Sequence, residues 1–507
     1  MTTEAKRSWP LTAWAPFGPG AGIAAVVALA WCAGLLILVS RRLIVSLDSM
    51  NDYAHVWWAA KGMWHGHGVP WRMPILGHGR GLTFPYALGP WLAAAVLWPL
   101  FGERSVAIVL VIGAVAAVVG SFYAFPELAR GWWIAVVLAN PILVMAPLAG
   151  QLPFLWAVAF LLGAIGAWRR GHVAVAVILG ALAQGTHPAV LVPLTLAVVL
   201  LGLASESGRG RLLTAWLIST ALAAPALLVV ALSPVAAESS LGTKVIAIAE
   251  TLLARSFVVA VPAAFAWLRH RVGDRPAPAL FFLAVLSNLV LLVPLQVTQG
   301  WRALGRRPDT VVADYAKSSL FRPDARYRVL RSGDSKVGMY QLLRAGARLD
   351  SEFFPESMAR HSWASAAAYA RFLNTRGIDR VLVFSSYDRR FETNEHALLE
   401  QLSRVPCVAG PLKVTVHSVR PGFLEYDVDR SACGRGSTND QAGRSRLASG
   451  ERGVEPVCEL LRGEDRVIGV YELTHCEHVS HSIDHAVRRL QVDAVKELGD
   501  VHGPLHR

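Results

Sequence analysis

AGIAAVVALAWCAGLLILVS (residues 21–40) runs directly into RRLIVSLDSMNDYAHVWWAAKGMWHGHGVPWRMPILGHGRGLTFP (residues 41–85). The first stretch carries no charge, and at roughly 1.5 Å per residue it is long enough to span a bilayer. The second sets Asp48, Asp52, five basic residues, four His and a Trp cluster between that run and the next apolar one. Polar groups at that density are costly against lipid, so their position points to chemistry at a membrane surface.

The rest of the chain agrees. Of 507 residues, 54% are hydrophobic and only 17% charged, and the mean hydropathy is +0.41. That balance makes the bilayer the main solvent and predicts a mainly α, polytopic membrane helix bundle. Lys6 and Arg7 precede the first run and no small-residue cleavage site follows it, which reads as a retained helix rather than a signal peptide. The net charge of +13 resides mainly in short loops between apolar runs. It therefore reports topology and excludes nucleic acid as a partner.

Further apolar runs lie near 86–101, 105–125, 131–148, 151–168, 172–186, 188–203, 213–233, 245–268 and 277–297. If all of them cross and Lys6 and Arg7 are inside, three Arg-rich loops fall outside, against the positive-inside rule. The run 86–101, about 16 residues, is the weakest candidate, flanked by Pro85 and broken by Pro90 and Pro99. Read as a helix at the outer interface, it leaves about nine spans. Arg130, Arg169-Arg170, Arg209/Arg211 and Arg269/Arg271/Arg275 are then all inside, while loop 41–85 and everything beyond residue 298 are outside.

Three regions follow: a transmembrane domain over 1–300, an extracytoplasmic α/β domain over 301–430, and, over 431–507, a linker without apolar period and a charged, His-rich tail, expected to be disordered but for one helix over 482–499. YRVLR (327–331) and RVLVFSS (380–386) read as strands, and SAAAYARFLNTRG (365–377) and NEHALLEQLSR (394–404) as helices. KVTVHSV and FLEYDV, joined around Pro421-Gly422, read as a hairpin. Cys407 and Cys433 either pair, if this domain is outside the cell, or stay as two thiols.

DSMNDYAHVWWAAKGMWHGHGVPW (48–71) followed by TFPYALGPWLAAAVLWPLFG (83–102) resembles the first external loop of GT-C glycosyltransferases. Gly150-Gln151, RRGH (169–172) and GALAQGTHPAVLVPL (180–194) are similar to the polyprenol-phosphate-sugar-dependent mannosyltransferase branch, and the resemblance covers roughly residues 20–300. It implies a polyprenyl-phosphate-linked sugar donor, an external-loop Asp as base, and a glycan, lipid or protein acceptor. Where the branch commonly has Lys-Pro, this chain has His187-Pro188, a group only partly charged near neutral pH.

The residue types suit that chemistry independently. An acceptor hydroxyl needs a carboxylate to take its proton, for which Asp52 is the first candidate and Asp48 the second. Capping a helix that begins near Tyr53 is the structural alternative for either. A departing polyprenyl phosphate needs cations and donors, for which Lys61, Arg72, Arg80, His187, Gln151 and His55 are the candidates. Lipid-headgroup anchoring is the alternative for the basic ones.

A divalent cation held by Asp52 with His65 and His67 stays open, as does a tail cluster of His475, Cys476, His478, His481 and His485, although neither has a clear ligand spacing. Trp57, Trp58, Trp64 and Trp71 read as an interfacial belt. Two other functions compete with the transferase: a lipid-linked glycan transporter or flippase, and a non-catalytic membrane assembly protein of the same fold.

Overall fold

The computed structural model describes residues 19–41, 43–44, 49–70, 72–76, 82–83, 88–187, 190, 194–199, 209–231, 256–298, 314–330, 335–350, 363–384, 394–405, 407, 412–420 and 423–432. Met1–Gly434 forms one compact unit, and Arg435–Arg507 separates as a second, outside the described residues. The tail His cluster and the helix expected over 482–499 fall there.

The protein is mainly helical with a small sheet. Helix α1 (Pro19–Ser40) is followed by α2 (Ser49–Trp64), a two-residue hairpin pair β1 (Arg72–Met73) and β2 (Leu82–Thr83), α3 (Leu88–Phe101) and α4 (Arg104–Ala124). Then come α5 (Trp132–Leu138), α6 (Pro141–Leu148), α7 (Leu152–Arg169), α8 (Val173–Thr186), α9 (Arg209–Ala231), α10 (Ser256–Val272) and α11 (Ala277–Thr298). Among the described residues four helices are long and apolar enough to cross a membrane: Gly20–Ser40, Arg104–Ala124, Leu152–Arg169 and Arg209–Leu228.

The 131–148 run is not the single helix its composition suggests. It breaks into α5 and α6 at Asn140, whose Oδ1 accepts from the Ile142 N–H at 3.0 Å while Pro141 takes the first helical position. Proline has no N–H to continue the preceding helix, and Asn is a favoured cap.

Close approaches fix the helix directions. Gly113 faces Trp156, Gly120 faces Leu162, and Gly166 faces Tyr123, so α4 and α7 run parallel in contact. Gly180 and Gly185 face Ser219 and Ala226, making α8 and α9 parallel as well. α7 turns into α8 through Gly171, whose φ of 78° suits a residue without Cβ. Gly20 lies against Trp132, so α1 starts where α5 starts, and the Trp133 indole donates to Asp274 between α10 and α11 at 2.8 Å.

The bundle therefore has two chemically different ends. Arg130, Arg169, Arg170, Arg209, Arg211, Arg269 and Arg271 collect at one; Ser40, α2, α3, Glu103, Gln151 and His187 collect at the other. Since α1 ends and α4 begins at that second end, the α2–α3 segment returns to the end it left.

The sheet domain adds β3 (Arg326–Leu330), α12 (Ser335–Arg344), β4 (Arg348–Leu349), α13 (Ala366–Thr375), β5 (Arg380–Phe384), α14 (Glu395–Arg404), β6 (Lys413–Arg420) and β7 (Phe423–Asp429). The order is β4-β3-β5-β7-β6. β3 is parallel to β4 and β5, and β7 is antiparallel to β5 and β6. Side chains alternate across the sheet as the pleat requires. Val381 and Val383 join a core with α13 and α14, while Leu382, Tyr327 and Val329 join the core of the helical bundle. One hydrophobic core thus runs from the helices into the sheet.

Candidate functional site

Helix α2 starts at Ser49, whose hydroxyl donates to the Ile44 carbonyl, and Ile44 N–H in turn donates to the Tyr53 hydroxyl at 3.0 Å. Asp52 therefore lies inside the first turn, not at a cap before Tyr53. Its charge is favourable there because the first-turn N–H groups point toward it.

Burial separates Asp52 from an ordinary loop carboxylate: it is 2% exposed. The Trp91 indole of α3 donates to Asp52 Oδ1 at 2.8 Å. His55, one turn along α2, stacks flat on the same Trp91 ring at 4.2 Å, and its Nδ1 is 2.7 Å from the Asn51 carbonyl. Burial lowers the His55 pKa from 6.5 to about 4, only partly countered by that hydrogen bond. His55 is thus neutral near pH 7 and enters the site as a hydrogen-bonding ring, not as a phosphate cation.

The remaining predicted site residues divide. Lys61 is exposed, nine positions after Asp52 and so on the opposite face of α2, with its ammonium 5.6 and 5.8 Å from the Trp57 and Trp58 rings. Arg72 pairs with Thr83 in the β1–β2 hairpin; its side chain, with Arg80 and Asp48, lies outside the described residues. Gln151 precedes α7 and His187 ends α8, where its ring meets Phe154 edge-on at 5.8 Å. Both share the bundle end of α2 but are carried by a different helix pair.

The grouping of Asp52 with His65 and His67 is not formed. The two His are exposed at the far end of α2, roughly 20 Å along the axis at 1.5 Å per residue, and His65 Nδ1 contacts the Lys61 carbonyl at 2.8 Å. Among the described residues no group of three or more His, Cys, Asp or Glu is placed to hold a metal ion. Of the expected aromatic belt, Trp64 is exposed with its indole bonded to the Ala95 carbonyl at 3.0 Å, Trp57 and Trp58 are half-buried, and Trp71 is outside the described residues.

Three residues missed by the sequence reading complete the neighbourhood. Glu103, between α3 and α4 and 7% exposed, accepts from the Tyr340 hydroxyl at 3.2 Å and from the Arg344 guanidinium. Tyr340 also packs its ring 5.9 Å from Tyr53. A lone carboxylate between two apolar runs, as in LFGERSVAIV (100–109), was the available signal for Glu103.

Compared with protein-family models and with curated proteins, the chain matches none.

Proposed function

We propose that the protein is an integral-membrane glycosyltransferase that moves a sugar from a polyprenyl-phosphate donor to a glycan, lipid or protein acceptor, with Asp52 as general base. Asp52 takes the acceptor hydroxyl proton as the new bond to the anomeric carbon forms. The bond from that carbon to the phosphate oxygen breaks, and polyprenyl phosphate leaves with its electron pair. The observation that carries this reading is a buried carboxylate, oriented by the Trp91 indole, at the bundle end away from the Arg loops.

That end is assigned to the outer face of the cell membrane, with the sheet domain beside it, because basic loops stay inside. Cys407 is disulfide-bonded, which favours an oxidising compartment for the sheet domain. A reporter fused after residue 430 is expected to be active only outside the cytoplasm, and one at 170 or 272 only inside. Cytoplasmic activity of the 430 fusion would overturn both the topology and the lipid-borne donor.

The 2% exposure of Asp52 and its tie to Trp91 favour one other reading, a structural carboxylate joining α2 to α3 in a non-catalytic assembly protein. Membranes with and without the protein, supplied with radiolabelled polyprenyl-phosphate mannose or arabinose, separate the two. Protein-dependent transfer supports the enzyme, and its absence with both donors supports the structural reading.

A further inference from the structure

We infer that Tyr340 and Arg344, on α12 of the sheet domain, are positioning residues for Asp52. This rests on the reading of Asp52 as the base and adds to it the means by which a domain outside the membrane sets the geometry of that base.

Asp52 is carried by α2 and oriented by Trp91 of α3, so its placement depends on how these two helices sit against each other. α12 packs on α2 and bonds to Glu103, two residues past the end of α3. Its Tyr340 ring, buried, lies 5.9 Å from the buried ring of Tyr53, the residue next to Asp52. Its hydroxyl donates to Glu103 at 3.2 Å, at the corner where α3 ends and α4 begins, and Arg344 donates to the same carboxylate. A second strap follows directly in the chain: Leu349 N–H of β4 donates to the Ile75 carbonyl at 2.7 Å, on the segment linking α2 to α3.

The chemistry of the clamp suits positioning. Glu103 is buried and Arg344 is half-exposed, so their charge-assisted contact is strengthened by low local dielectric on one side. Two buried tyrosine rings add stiffness, since each has only two side-chain torsions to fix. Sub-ångström shifts of a base cost rate without removing it, so loosening α12 lowers turnover before it abolishes folding.

The test uses the full chain in nanodiscs and reads amide exchange over residues 49–56 together with transfer kinetics. Arg344→Ala is expected to raise exchange in that peptide by on the order of tenfold while α7 and α8 stay protected. Turnover should fall about 10- to 100-fold with KM for the donor moving less than about threefold, and Arg344→Lys should restore most of both. Should Arg344→Ala fail to fold, Glu103→Gln, which keeps the shape, carries the same expectation. Unchanged exchange over 49–56, or raised exchange with full turnover, overturns the positioning role. Asp52→Asn is run in parallel: full activity there overturns the transfer chemistry alone, and the exchange result still decides whether α12 holds α2.

Discussion

Asp350 and Glu395 in the sheet domain close on one guanidinium: Arg328 Nη1 reaches Asp350 at 3.0 Å, and its Nε and Nη2 reach the two Glu395 oxygens at 2.6 and 2.8 Å. Asp52, as deeply buried, takes an indole N–H at 2.8 Å beside a ring that stays neutral. Burial works to lower the Arg328 pKa, but Glu395 and Asp350 more than offset it, and the net direction is up. The sheet carboxylates are thus committed to one shared guanidinium, and removing it strands both of their charges. The Trp91 indole orients Asp52 without itself carrying a formal charge.

The largest expected effect is on the committed side. Arg328→Met leaves Glu395 and Asp350 buried without their shared guanidinium and should destabilise the protein by about 3–5 kcal/mol. Asp52→Asn keeps an oxygen that can accept from the Trp91 indole and should cost less. Denaturant or thermal unfolding in detergent measures both, and equal losses would erase the distinction.

Next comes pH. His55 is held at about 4 in the fold against 6.5 unfolded, so the unfolded chain takes up the proton first. Stability should fall as pH drops from 6.5 to 4, by up to about 1.4 kcal/mol per pH unit, and this component should level off below 4. His55→Phe should flatten that part of the profile, and a profile unaltered by the substitution would place the imidazole in water.

Trp91→Phe preserves the stack on His55 and deletes the hydrogen bond to Asp52, for about 1 kcal/mol of stability. Turnover should fall by roughly tenfold through misorientation, with donor binding kept. Full turnover in this variant would remove Trp91 from the account of Asp52. The smallest effect belongs to Lys61→Ala, which loses the contact with Trp57 and Trp58, worth about 0.5–1 kcal/mol. Its turnover should stay within about threefold, and a larger loss would bring Lys61 to the donor despite its place on the opposite face of α2.

Legibility in the sequence tracks the range of the interactions. The strands at 326–330 and 380–384, the helices at 366–375 and 395–404, and the 413–429 hairpin follow from local alternation and turn residues. The break at Asn140-Pro141 was also written locally but was masked by the apolar composition around it. The surroundings of Asp52 were not legible, because Trp91 lies 39 residues away and the Tyr340 contact to Glu103 joins residues 237 apart. No pattern along the chain encodes that the helix carrying Asp52 packs against a helix nearly 300 residues further on.

The most direct measurement is transfer of radiolabelled sugar from polyprenyl phosphate by purified wild type, Asp52→Asn and Asp48→Asn, with donor binding measured alongside. The expected result is a fall in turnover on the order of 10² to 10⁴ for Asp52→Asn with donor binding nearly unchanged. A dead Asp48→Asn with a fully active Asp52→Asn would move the base four residues toward the N-terminus. Full activity of both would contradict the assignment of transferase chemistry to this helix.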